Sequence, residues 1–140
     1  MQVRNRYGDS PVSMNEYTST LDQGMRTAQG SQIAIQMEGT PAVEARVAPP
    51  LPVHTAASIY DIYAVMAMAP VGGSVVVRLR ANERILGTLT IPAGAMWSNV
   101  VNGFGIAPLA EGEFLEADVL EVPTGEGSHP GRDLTVALRI

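Results

Sequence analysis

The chain has no cysteine and no lysine among its 140 residues, only two histidines, and aromatics at 5%. Without cysteine there are no disulfides, no thiolate zinc sites and no thiol nucleophile. Every cation is an arginine, the residue whose planar guanidinium makes multidentate contacts at interfaces; codon usage in a GC-rich genome accounts for the same bias. No apolar run is long enough to span a bilayer, and Ile62 to Val71 is the longest candidate. MQVRNRYGDSPVSMNEYTST has no apolar h-region, so no secretory signal is expected there. The net charge of −5 argues against attraction to nucleic acid or to an anionic membrane surface.

What the chain does have is apolar content, 46% of residues, enough for one packed core. It is unevenly distributed. Residues 1–31 are polar and aperiodic, with Gly8, Pro11, Gly24 and Gly30, and cannot bury enough apolar area to order alone. We expect an extended arm over 1–55, laid across a partner. It includes two alternating stretches, QIAIQME and VEARV, that suggest a short hairpin about Gly39-Thr40-Pro41. Pro49, Pro50 and Pro52 then make a stiff connector that cannot join a central ladder.

Residues 56–140 read as short strands divided by Gly/Pro turns: 59–68, 75–80, 85–91, 96–101, 114–122 and 133–140. IYDIYAVMAMA also fits one helical face, but its β-branched and aromatic content favours a strand. The expected class is all-β, with an antiparallel β-sandwich over 56–140.

A resemblance sharpens that expectation. Gly73, Val75, Val77, Asn82, Ile91, Ala93, Gly94 and Ser98 form one block of a pattern. Leu109, Gly112, Asp118, Val119, Gly131, Asp133, Leu134, Thr135, Val136 and Leu138 complete it. The pattern resembles a recurring domain of tailed-bacteriophage virion proteins, and covers just under half of the chain. Glu113 stands where that domain often has Asp, a departure from the pattern. The resemblance implies a jelly-roll-like sandwich, commonly trimeric, found in head fibres, tail fibres and decoration proteins. It implies virion localisation, and a major capsid protein or other virion protein as partner. It carries no active-site signature and leaves residues 1–55 without a counterpart.

The search for chemistry gives little. Ser128-His129 and Asp133 are too close in sequence to converge on one reacting atom, and His54 lies in the proline connector. Glu111, Glu113, Glu116, Asp118 and Glu121 could gather a hard cation, but their alternation with apolar residues reads as the wet face of a strand. Gly103-Phe104-Gly105 lacks the third glycine of a phosphate loop and reads as a bend. No catalytic residue, cofactor or metal site is assigned. Arg78, Arg80 and Arg84 on one hairpin could meet acids of a sister subunit, such as Glu116 and Asp118, or be solvated. Trp97 is expected in the core; with Tyr60 it could instead offer a platform for a sugar. The resulting expectation is a non-enzymatic capsid decoration (cement) or head-fibre protein, homo-oligomeric and attached by its arm. The alternative is a tail-fibre or baseplate tip that binds a host surface glycan.

Overall fold

A computed structural model describes residues 32–140, and the first 31 residues of the expected 1–55 arm lie outside the described residues. Eight strands follow in order: β1 (Gln32–Met37), β2 (Leu51–Pro52), β3 (Asp61–Met68), β4 (Val75–Ala81), β5 (Arg84–Ile91), β6 (Val101–Asn102), β7 (Phe114–Glu121) and β8 (Arg132–Arg139). They form two four-stranded antiparallel sheets, β1-β8-β3-β6 and β2-β7-β4-β5.

The pairing has a simple rule. β4 and β5 make a hairpin, β3 pairs β6, β2 pairs β7 and β1 pairs β8, so the chain is a ribbon folded about one tip. Wrapping that ribbon brings β3 beside β8 and β4 beside β7, which closes the two sheets of a jelly roll. Residues 32–140 therefore form an all-β, jelly-roll-like β-sandwich.

The alternation in the sequence sets which side chains enter the core. In β4, Val75, Val77, Leu79 and Ala81 are buried and the residues between them are half-buried. Ile62, Ala64 and Met66 of β3 face Leu134, Val136 and Leu138 of β8 in register. Leu79, Leu89, Leu115 and Leu138 are fully buried, and truncating any one to alanine is expected to cost about 2–5 kcal/mol. The helical alternative for 59–68 is not adopted, since β3 is paired on both sides.

The structure moves the expected domain boundary. Residues 32–55 are not an arm: β1 joins the C-terminal strand, with Gln32 opposite Arg139 and Met37 opposite Leu134. The expected hairpin between QIAIQME and VEARV does not form. Glu44 instead bridges Val119, and Val47 N–H donates to Ala117 O. The proline connector then runs along the same strand, where Leu51 pairs Leu115 and Val53 N–H donates to Glu113 O. Each partner lies far along the sequence, so local turn chemistry did not reveal it. An edge strand is where prolines are tolerated, because the missing N–H faces away from the sheet.

Two positions explain local chain path. Asn82 turns the β4–β5 hairpin at φ 56, a left-handed conformation that asparagine tolerates, and its Oδ1 accepts from Phe114 N–H. Gly103 passes against the Ile59 carbonyl so closely that a Cβ would overlap it. Gly103→Ala should therefore destabilise the fold by about 2 kcal/mol or more, through forced backbone movement. Gly94→Ala, at φ 80 with open space around it, should cost only about 1 kcal/mol. Urea unfolding of both variants checks the ranking.

Candidate interaction surface

Of the charged residues singled out from sequence, Arg78, Arg80, Glu116 and Asp118 come together within one chain, while Arg84 pairs elsewhere with Glu113. β4 and β7 are neighbours, with Arg78 opposite Asp118 and Arg80 opposite Glu116 on their outer face. Asp118 is only 1% exposed and accepts four hydrogen bonds. Arg80 grips it with two of these, Nε at 2.7 Å and Nη2 at 2.9 Å. Arg78 Nε adds one at 3.0 Å and the Arg46 backbone N–H another at 3.1 Å. Glu116, also buried, meets Arg80 Nη2 at 3.3 Å and Arg46 Nε. Of the acids expected on a wet face, Glu111 and Glu121 are exposed, whereas Glu116 and Asp118 are buried beneath arginines. The bidentate Arg80–Asp118 pair is one that lysine could not form.

This arrangement is a cross-brace. Arg46 takes a left-handed φ of 56, which aims its N–H at Asp118 and ties the edge segment to the sheet. A second brace holds the loop before β7. Arg84 donates to Ala107 O, Pro108 O and the Glu113 carboxylate, which also accepts from Ala110 N–H. The Arg84 bond and then the Ala110 N–H hold the Glu113 carboxyl below its usual range. A third joins Asp61 to Arg139 on adjacent strands, with the Arg139 guanidinium over the Tyr60 and Tyr63 rings at 5.1 and 5.8 Å. Sequence reasoning missed Arg46, Asp61 and Arg139, whose partners lie far away in the chain.

No group of three metal-ligating side chains converges among the described residues. The acids Glu113, Glu116 and Asp118 are engaged by arginine. His129 Nδ1 accepts from Gly131 N–H, which folds the loop before β8.

One stretch of the described surface is notably apolar. Residues 96–103 run antiparallel along the free side of β3: Met66 N–H donates to Met96 O, Ser98 N–H to Ala64 O, and Gly103 N–H to Tyr60 O. The Met96–Val101 stretch expected as a strand is largely irregular, reduced to a bridge at Trp97 and the two residues of β6. Ser98 Oγ accepts from Ala64 N–H and Asn99 Oδ1 from Thr90 N–H, so side chains replace part of the ladder. The segment presents Met96, Trp97, Val100 and Phe104 to solvent beside Tyr60. Trp97 is therefore not a core residue; it and Tyr60 are both 66% exposed. Tyr60 shares a hollow with Val100, Asn102 and Phe104 rather than with Trp97, which sits farther along the edge opposite Val65.

Phe104 is the most exposed of the group at 97%. Its placement is built in: a 3-10 turn over Gly103–Gly105 is capped by Asn102 Oδ1, which accepts from Phe104 N–H at 2.7 Å. With Gly103 fixed against Ile59, the turn projects the ring outward. Gly-Phe-Gly carried a signal for this, because a large aromatic between two glycines has no local packing partner. Comparisons with protein-family models, curated proteins and solved structures each give no match to the chain.

The Asp118 brace predicts an acid sensitivity. Chiefly the Arg80 hydrogen bond pulls the Asp118 carboxyl down to about 2. A depressed carboxylate stabilises the fold fully above its unfolded value near 4, and loses that contribution as pH falls toward 2. The loss should be about 2 kcal/mol over that window. Asp118→Asn should cost about 3 kcal/mol at neutral pH and flatten the stability curve between pH 5 and 2. Denaturant titrations across that range check both.

Proposed function

We propose that the protein is a structural component of a bacteriophage virion, a capsid decoration (cement) or head-fibre protein. The observation that carries this reading is the exposed apolar edge of Trp97, Val100 and Phe104 with Tyr60. Scattered apolar residues on a surface are ordinary, but several exposed aromatic and apolar residues along one sheet edge favour a protein contact. The body around it is a jelly roll with outer charges cross-braced, which suits a part that bears load. The sequence resemblance points to the same class, and residues 1–31 serve in this reading as the attachment segment. Repetition on a symmetric particle supplies avidity, so each contact need only be weak.

Two outcomes are expected. Gold-labelled antibody against the chain should decorate the surface of intact particles, and labelling confined to the host would overturn the reading. Trp97→Ser with Phe104→Ser should leave stability within about 0.5 kcal/mol, because both side chains are exposed, yet lower particle occupancy in co-sedimentation. Unchanged occupancy, with loss of binding to host surface glycans instead, would favour a tail-fibre or baseplate tip.

A further inference from the structure

A jelly roll leaves four sheet edges, and this chain treats one unlike the others. The β7 side of its sheet is closed by residues 44–53, interrupted by Pro49, Pro50 and Pro52. β5 is capped by Asn99 Oδ1 at Thr90 N–H, and the Val101 side chain lies against Gly87. β6 is two residues long. β1 is six residues, without a proline or a charged side chain, and among the described residues it pairs with β8 alone. A flat uncharged edge is a template for another strand, and native proteins normally blunt it.

The sequence of β1 indicates which strand fits. Gln32-Ile33-Ala34-Ile35-Gln36 reads the same in both directions about Ala34. We propose that β1 pairs with β1 of a second copy, antiparallel about a two-fold axis at Ala34, joining two β1-β8-β3-β6 sheets into one. In that register Gln32 faces Gln36 of the second copy, Ile33 faces Ile35, and Ala34 faces its own equivalent. A two-fold perpendicular to the sheet keeps faces matched. The isoleucines on the core side then meet each other, and Ile33, half-buried in the free chain, becomes covered. The glutamines on the outer side are both donor and acceptor, so each pair can bond in this orientation. Gln32 Nε2 already donates to Tyr63 Oη at 3.2 Å, which leaves its Oε1 free to accept. Charge is complementary in the only way a self-contact allows: no like charges meet along the strand. The contact lies at the opposite edge of the sheet from the Trp97 cluster, so it stands or falls independently of the particle-binding reading.

The absence of cysteine makes the test direct. Opposed Cα atoms in an antiparallel pair are about 4.5–5.5 Å apart, within reach of a disulfide. In the full chain, Ala34→Cys should form a covalent dimer under mild oxidation, while Thr88→Cys, exposed on β5, should remain monomeric. Ala34→Lys and Ala34→Glu should each weaken wild-type dimerisation by about tenfold or more in sedimentation, since like charges then meet at the axis. Mixing the two should restore the dimer. A monomeric wild type, an Ala34→Cys chain that crosslinks no faster than Thr88→Cys, or charge variants that dimerise as the wild type does would each overturn the proposal.

Discussion

Everything in this protein depends on one constraint: the chain pairs with itself as a ribbon, first strand with last and second with next to last. The β4–β5 hairpin is the only contact in the series that is local. All the others close long loops, so their entropic cost must be offset by burial of the alternating apolar faces. That is why a protein with few aromatics packs its interior with Val, Leu and Ile, whose branched side chains suit facing sheets. It also explains why residues 32–55 belong to the sandwich: without β1 and β2 the sheets would end at β8 and β7, with both strands bare along one side.

The arginine braces act on the same problem from outside. Asp118 and Glu116 sit on the outer face of β7, where burial without partners would be costly. Arg78 and Arg80 come from β4 and Arg46 from the edge segment, so one buried carboxylate joins three stretches of chain distant in sequence. A chain without disulfides thereby gains cross-links between segments, and the one at Asp118 weakens on acidification. Arg139 and Asp61 add a cross-link between β3 and β8 in the other sheet.

How much of this was legible in sequence follows from range. β3, β4, β5, β7 and β8 announce themselves by alternation and turn residues, which are local signals. QIAIQM is visibly strand-like, but nothing near it names Leu134–Arg139 as its partner. From sequence, Arg78, Arg80, Glu116 and Asp118 read either as partners across a subunit contact or as solvated charges. That they meet inside one chain depends on β4 lying beside β7. Trp97 was misplaced because alternation fails where Ser98 and Asn99 satisfy backbone groups with their side chains. Phe104 was passed over as part of a bend, although the bend serves to hold it outward.

The β1 strand and the exposed apolar row beside β3 lie at opposite edges of one sheet. With both proposed contacts made, one at each edge, the sandwich would bridge neighbours on a lattice. Trp97 is the sole tryptophan and lies in the aromatic row, so its fluorescence reports directly whether that edge is covered on assembly. The proposed bridging role predicts a blue shift and protection from iodide quenching when the full chain is bound to particles. A bound chain whose emission and quenching match those of the free protein would contradict it.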